Sequence, residues 1–597
     1  MKRFFPMLRV LAVGLLTGAT LLLSACAALT PVAPTQTATP TVVLPPTETP
    51  TPTQPRPVIA SVELNRPELG LYEMLDIKLN AQTAPVNPYD ARVIRLDGIF
   101  TAPDGVQTPI AGFWNGKDSW HVRFTPWQVG EWGYQLLIKD PGGISNPMEG
   151  KFTVTESDLR GAIQIGKNVN PAYSSRYFAY QDGTPFYGIG HANAVGVIKG
   201  GYDLDNGFPT LYNLKRDNEN YIVWWPLFTS SPISNSYDNY FAPKMDILDL
   251  VLRDAQKKDV KLIFTIWDHY QLRDGTHAWG PGQWGTNGFS KLGSIDSFFT
   301  SDESWAWQEN FYRYIIARWG YSTSIAMWMT VSELNGTNAY DQANPWHEKV
   351  NAYFQKNDPY HHPTTASMSG DVEWPEGHKL MDVSQVHIYD FKNGDQKVDV
   401  VHSAAVLAHW TQLMWNVAEK PNWVGEYGVP GNQDYPELFH NSNWAALASG
   451  AAMTPAEWNG DGSWGNMTPE MIADINRLGQ FVAEIPLVKW DPSPLKITSS
   501  NDQVRGWGLG SAEGGLFWIQ DFSLEGKSIT SIRKDQSVRI GQLQISGLPA
   551  GTYVITPYNT WQGKYLPVIE VTCKADEPCE IKMPKFHADL AFKIEKK

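Results

Sequence analysis

The sequence predicts a multidomain protein with a central (β/α)8 barrel, flanked by an N-terminal and a C-terminal β-sandwich. Three observations lead there. Between about residues 172 and 488, short apolar runs alternate with segments of helical periodicity, the pattern of parallel strands joined by helices. On either side of that stretch the texture is one of short strands separated by turn residues. The 597 residues allow three or four domains at roughly 150 residues each.

The first segment, residues 1–26, reads as an address. Lys2, Arg3 and Arg9 precede a 14-residue apolar stretch over 10–23, too short to span a bilayer and suited to a signal-peptide core. It ends in Leu23-Ser24-Ala25-Cys26, which resembles the bacterial lipoprotein signal and implies lipidation at Cys26. Residues 27–57 form a Pro/Thr-rich linker, with nine Pro and nine Thr between positions 30 and 57. Such a composition cannot bury a core and predicts an extended spacer. The expected location is therefore extracytoplasmic, at the cell surface, with a lipid anchor as the sole contact with the membrane. With Cys26 lipidated, Cys573 and Cys579 remain as an even pair in an oxidising compartment, expected to form a disulfide across a short loop.

Residues 58–156 predict a small Ig-like β-sandwich. Arg92-Val93-Ile94-Arg95-Leu96, Trp120-His121-Val122-Arg123-Phe124 and Tyr134-Gln135-Leu136-Leu137-Ile138 read as strands, with turns at Pro103-Asp104-Gly105 and Pro141-Gly142-Gly143. The tryptophans here are expected in the core. Residues 157–488 carry the barrel and its entry segment. Candidate strands are 186–189, 221–227, 261–267, 325–331, 364–367, 384–389, 423–426 and 449–453. Helices are expected over 245–256, where Leu248, Val251, Leu252 and Ala255 share a face, and over 305–319. Alternating strands return over 489–597, in runs such as Gly515-Leu516-Phe517-Trp518-Ile519 and Gly551-Thr552-Tyr553-Val554-Ile555, and predict the second sandwich.

Composition narrows the function. A formal net charge of −14 argues against nucleic-acid binding, which needs a basic face. A mean hydropathy of −0.32 excludes a multi-span membrane protein. No Gly-rich dinucleotide fingerprint or P-loop follows any candidate strand, so no cofactor is expected. The 25 Trp, 25 Tyr and 24 Phe suit a large core and equally a cleft that stacks on sugars.

In a barrel, side chains at the C-terminal strand ends converge on one face. Glu333 closes the run Met327-Trp328-Met329-Thr330-Val331-Ser332, and Glu426 closes Trp423-Val424-Gly425 before Tyr427-Gly428. The 93 residues between them correspond to about three βα units of roughly 30 residues, so that Glu333 ends strand four and Glu426 strand seven. Two carboxyls facing each other across about 5–5.5 Å can cleave a glycosidic bond, one protonating the leaving oxygen while the other attacks the anomeric carbon. Other strand ends add Trp225, Trp267, His269, His387, Tyr389 and Trp458. Any one of these alone is an ordinary structural residue. Together on one face they form a sugar cleft, with rings on pyranose C–H faces and polar tips on hydroxyls.

The glutamates on strands four and seven, the His387-Ile388-Tyr389 on strand six and the Trp458 after strand eight are similar to the retaining β-glycosidases of clan A, whose family 5 contains cellulases and mannanases. The resemblance extends to Asp182-Gly183 with Phe186, to Ala317-Arg318-Trp319-Gly320 and to the stretch 441–450. It implies that Glu333 is the acid/base and Glu426 the nucleophile. It further implies that His387 lies by the acid/base, that Tyr389 hydrogen-bonds the nucleophile, and that Trp458 floors the subsite. The substrate would be a β-linked polysaccharide or oligosaccharide, with β-mannan or β-glucan favoured. The segment Trp120–Phe124 with Gly130-Glu131-Trp132-Gly133-Tyr134 resembles a sandwich that precedes such barrels in secreted sugar hydrolases, and Tyr558-Asn559-Thr560-Trp561-Gln562-Gly563 resembles a C-terminal domain often predicted to bind collagen or carbohydrate. One position departs from the pattern: Ser332 stands where the clan places an Asn that contacts the sugar 2-hydroxyl. A serine reaches that hydroxyl only with a shifted sugar or through water.

Two other classes compete. A non-catalytic surface glycan-binding lipoprotein on a degenerate hydrolase barrel is favoured by Ser332 and disfavoured by retention of both glutamates. A metal-dependent hydrolase would want an early His-x-His, whereas His191 has no histidine two residues away and His361-His362 reads as a loop pair before Pro363. No metal is therefore expected.

Overall fold

The computed structural model describes residues 54–597, apart from 230, 232, 234–235, 278–279, 394–397, 430–434 and 459–466. The apolar leader, Cys26 and nearly all of the Pro/Thr-rich segment lie outside the described residues. What is described comprises three sheet-rich parts.

The first is built of two facing sheets. One contains Val58–Leu64, Leu75–Gln82, Trp120–Phe124 and Phe113–Trp114; the other contains Glu68–Gly70, Met148–Thr155, Gly130–Asp140, Arg95–Thr101 and Gln107–Ala111. Alternation sets the faces. Along Gly130–Asp140 every second side chain is buried, and Trp132, Leu136 and Ile138 meet Ile77, Leu79 and Phe124 of the opposite sheet. Trp120 and Trp132 are core residues, as expected. Arg123 reaches out of this part to Asp249, which also accepts from Arg318 (both 2.8 Å) and from the Trp319 indole (2.7 Å). Burial alone would raise the Asp249 carboxyl, but the two guanidiniums hold it well below the usual carboxylate range.

The second part contains seven parallel strands: β1 (Gly190–Ala192), β2 (Tyr221–Trp224), β3 (Lys261–Asp268), β4 (Ile325–Ser332), β5 (Thr364–Ala366), β6 (Ser384–Ile388) and β7 (Asn422–Tyr427). Strands β1 to β5 pair in that order, as do β6 and β7. Val383 N–H donates to Thr364 O (3.0 Å), linking β5 to β6. After β7, residues 451–457 run between β7 and β1: Ala452 donates to Asn422 O, Ala456 to Val424 O and Thr454 to Gly188 O. Strands β3, β4, β6 and β7 are buried at every position, as parallel strands covered on both faces must be.

The helices follow from local signals. Helix α1 (Ala242–Lys258) begins with a proline in its first turn and stops at Asp259, which adopts a left-handed φ of 55°. Helix α2 (Asp302–Trp319) is capped by Ser301, whose hydroxyl accepts from Ser304 N–H, with Asp302 and Glu303 in the first turn. Both extend a little beyond the expected spans because those caps lie outside the apolar stripe.

Two expected strands are displaced. Phe186 belongs to an antiparallel pairing with Phe178, and the first parallel strand is Gly190–Ala192 instead. The reason is steric: a Cβ at Gly190 would stand 2.0 Å from Tyr221 O. Such a strand is defined by close backbone approach rather than by an apolar run. Expected strand eight, 449–453, is also corrected. Ser449 ends helix α3 (Pro436–Ser449), Gly450 turns the chain at φ 107°, and the residues that bridge β7 and β1 come after it.

The third part departs from a two-sheet sandwich. Nine strands form one hydrogen-bonded sheet, with Ile569–Cys573 and Lys564–Tyr565 at one end and Cys579–Phe586 at the other. The Cys573–Cys579 disulfide, with Cα atoms 5.0 Å apart, joins the two ends. The sheet therefore curls round its own core of Phe517, Leu543, Tyr553 and Phe592, while Leu516, Trp518 and Ala591 face the central part.

Candidate functional site

The C-terminal ends of β4, β6 and β7 bring two carboxylates and an imidazole together. Glu333 follows β4 with φ 57° and ψ 58°, a left-handed conformation uncommon for a residue with a side chain. Its N–H donates to Ser367 Oγ (3.0 Å) and the next N–H, of Leu334, to Ser367 O (2.9 Å). His387 on β6 and Glu426 on β7 are register partners. His387 Nδ1 lies 2.9 Å from Glu333 Oε1 and 3.2 Å from Glu426 Oε2, and His269 Nδ1 lies 3.3 Å from Glu333 Oε2. Tyr389 Oη donates to Glu426 Oε2 (2.9 Å).

The imidazole is held from behind. Gln385 donates its amide to Thr365 Oγ1 (3.0 Å), which turns its carbonyl oxygen toward His387 Nε2 at 3.1 Å. Gly425 makes room for this side chain, since a Cβ there would stand 1.8 Å from Gln385 Oε1. Nε2 thus carries a proton, and Nδ1 faces two carboxylates. Burial opposes the imidazolium, but the charges and hydrogen bonds of Glu426 and Glu333 outweigh it and raise the His387 pKa to about 9. Glu333 and Glu426 are driven apart. Burial pushes both up; the His387 hydrogen bond and the charges of His269 and His387 bring Glu333 below the ordinary range, whereas Glu426 stays above it, helped by the negative charge of Glu333.

Aromatic rings stand beside this centre. Trp225 and Trp458 lie 5.3 Å apart, the Trp225 ring meets His269 edge-on at 6.0 Å, and Tyr270 lies 4.2 Å from His269 and 5.6 Å from Phe228. Gly428 admits the chain at Trp458, whose N–H donates to Tyr427 O (2.7 Å). Glu426 Oε1, Trp225 Nε1 and Ser332 Oγ are buried polar atoms without a hydrogen-bond partner among the described residues.

The structure thus gathers Glu333, Glu426, His387, Tyr389, His269, Trp225 and Trp458. Trp267 is a correction. Its indole is fully buried in the helix-facing core, donates to Tyr312 Oη (2.9 Å) and packs on Phe298 and Phe311, so no sugar can reach it. Successive strand side chains point to opposite faces, and Trp267 is on the outer one. Ser332 is fully buried at the end of β4 beside Asp268. Sequence reading missed Ser367, Ser369, Gln385, Asp371, Phe228 and Tyr270. No sequence signal marks them; strand register and loop closure bring them in. Glu333, His387 and Glu426 each offer one ligand atom within 4.8 Å of the others, a set that a divalent cation could also use.

Comparison with known proteins bears on the fold. Residues 68–139, in the first part, match a family described as a domain of unknown function, DUF5060. No curated protein matches the chain. Among solved structures, a putative glycoside hydrolase from Bacteroides vulgatus ATCC 8482 superposes with a TM-score of 0.60 at 15% identity, over 89% of this chain and 100% of its own. A glycoside hydrolase of family 5 from the same organism has a TM-score of 0.46 at 11% identity, over 72% of this chain and 95% of its own. The endo-1,4-beta-mannanase of Rhizomucor miehei has a TM-score of 0.40 at 15% identity, over 52% of this chain and 98% of its own. The chain's structural neighbours are glycoside hydrolases, and at such identities the first of them speaks to the multidomain fold alone.

Proposed function

We propose that this protein is a retaining glycoside hydrolase of β-linked glycans, working from a (β/α)8 barrel formed by β1–β7 and residues 451–457. The observation that carries the reading is the pair Glu333 and Glu426, whose nearest carboxylate oxygens lie within 4.8 Å. That is close to the ~5–5.5 Å of double displacement and short of the ~6.5–9.5 Å that an inverting enzyme needs for its water.

In this mechanism Glu426 Oε1, the oxygen without a hydrogen-bond partner among the described residues, attacks the anomeric carbon while Oε2 stays held by Tyr389 and His387. The C1–O bond breaks, and the leaving oxygen takes the proton of Glu333. Glu333 then removes a proton from water as the water oxygen bonds C1 and Glu426 departs. The half-exposed Trp458, backed by Trp225, would stack on the sugar, and the lipid anchor and linker would hold the enzyme outside the cytoplasmic membrane.

One observation favours the reverse assignment. Burial and the charge of Glu333 shift the Glu426 carboxyl above its ordinary range, while the imidazoles shift Glu333 below it, so of the two Glu426 holds a proton the more readily. With the roles exchanged, Glu426 would be the acid and Glu333 the nucleophile. Azide rescue separates the two: the variant lacking the nucleophile yields a glycosyl azide of inverted configuration, and the variant lacking the acid/base yields a retained one.

The first experiment is reducing-sugar release by the protein starting after Pro57 on β-mannans, β-glucans and xylans, with Glu426→Ala alongside and EDTA added in parallel. Activity on one glycan that disappears in the variant and survives EDTA supports the hydrolase. Retardation in glycan affinity gels without any release replaces it with the binding protein, and loss of activity in EDTA replaces it with metal-assisted hydrolysis.

A further inference from the structure

The segment that follows β5 holds the backbone of Glu333 directly and the carboxylate of Glu426 through Tyr389. Ser367 Oγ accepts from Glu333 N–H (3.0 Å) and its carbonyl from Leu334 N–H (2.9 Å). Two residues on, Ser369 is locked to the turn that carries Glu333 by a reciprocal pair: Asn335 Nδ2 donates to Ser369 O (3.1 Å), and Ser369 N–H donates to Asn335 Oδ1 (2.7 Å). Ser369 also contributes to lowering the Glu333 carboxyl. Two residues further, Asp371 N–H donates to His387 O (2.9 Å), and Asp371 Oδ2 accepts from the N–H groups of Tyr389 (3.3 Å) and Asp390 (3.1 Å). Tyr389 in turn holds Glu426.

We propose that Asn335, Ser367 and Asp371 are positioning residues through which the strap 367–371 sets the separation of Glu333 and Glu426. The argument rests on the catalytic reading of that pair. Glu333 holds a left-handed backbone conformation that persists only where its surroundings enforce it. Those surroundings are two hydrogen bonds to Ser367 and the paired bonds between Asn335 and Ser369. At the far end Asp371 fixes the turn that carries Tyr389, and so the oxygen of Glu426 that Tyr389 holds. A strap anchored at both ends couples two residues that belong to different strands. Asn335 is thereby occupied with its own loop, each amide atom in a hydrogen bond to Ser369, and does not take the place of the missing amide at position 332.

The test compares Ser367→Ala and Asp371→Ala with the conservative Ser367→Thr and Asp371→Asn, each of which keeps an acceptor at its site. Crystal structures of the four give the carboxylate separation directly, whatever the substrate proves to be. The expected result is a Glu333–Glu426 separation wider than the parent's in the alanine variants and restored in the conservative ones. On whichever glycan is turned over, kcat falls about 10- to 100-fold in the alanine variants with KM changed less than about threefold, because ~0.5–1 Å of misplacement is felt in the transition state. Alanine variants that fold with the pair unmoved overturn the proposal. So does a loss of kcat that the conservative variants share. A silent glycan panel with a displaced pair removes the catalytic reading and leaves the positioning role standing.

Discussion

Tyr389 donates its hydroxyl proton to Glu426 Oε2 across 2.9 Å, while Oε1 of the same carboxylate accepts no hydrogen bond among the described residues. One oxygen is anchored and the other is left free of hydrogen bonds to the described residues, so removal of the anchor should be felt in chemistry more than in binding. Tyr389→Phe is expected to lower kcat about 10- to 100-fold with little change in KM, the loss of a hydrogen bond to a charged group worth ~1.5–3 kcal/mol. Steady-state kinetics on the glycan identified by the panel checks it.

Trp267 and Trp458 should separate stability from binding. Trp267→Phe deletes the indole donor to Tyr312 and leaves a gap against Phe298, for an expected loss of about 1–3 kcal/mol in denaturant unfolding with KM unchanged. Trp458→Ala, half-exposed beside Trp225, is expected to raise KM about tenfold, ~1.4 kcal/mol of binding, with a midpoint of unfolding close to the parent's.

A pH-dependent stability should reside away from the site. His440 on α3 contacts Asp474 (2.7 Å) and Asp589 (3.1 Å) with Trp561 stacked at 3.9 Å, tying the central part to the curled sheet. Burial opposes its charge, but the two carboxylates raise its pKa from the ordinary 6.5 to about 9. The folded-state value exceeds the unfolded one, so the stabilisation is complete below pH 6.5 and is lost as pH rises through about 9. The full rise is worth on the order of 3 kcal/mol. His440→Asn should be less stable than the parent at pH 6, with the gap narrowing by pH 9.5, read by denaturant midpoints across that range.

The disulfide between Cys573 and Cys579 closes a short loop across the meeting ends of the curled sheet. Cys573→Ser with Cys579→Ser is expected to cost about 2 kcal/mol by restoring freedom to the unfolded chain. The loss should appear in the unfolding of the C-terminal part, with the catalytic parameters unchanged.

The sequence by itself determined which residues the strand ends of the central part bring together. Glu333, His387, Tyr389 and Glu426 were legible because apolar runs locate parallel strands, and the residue closing each run must face the cleft. His269 and Trp225 lay near other strand ends, whereas Trp458 came from the resemblance, since the strand it was expected to follow is displaced. Trp267 failed it because a run buried on both faces carries no sign of which side chains point inward, so only the tertiary structure could set Trp267 outside and Trp225 inside. The glycine-bounded strand at 190–192 and the bridging stretch 451–457 were hidden for a related reason: close backbone approach, not side-chain hydrophobicity, defines them. Gln385, Ser367, Ser369 and Asp371 were beyond any one-dimensional reading, since each is common in loops and strands alike. Their roles come from hydrogen bonds closed across 2 to 34 residues of sequence, which exist once the strands are in register. Local pattern chose the residue types, and only the closing of strands and loops decided which way each carboxylate's proton affinity shifts, because that depends on neighbours brought in by other strands.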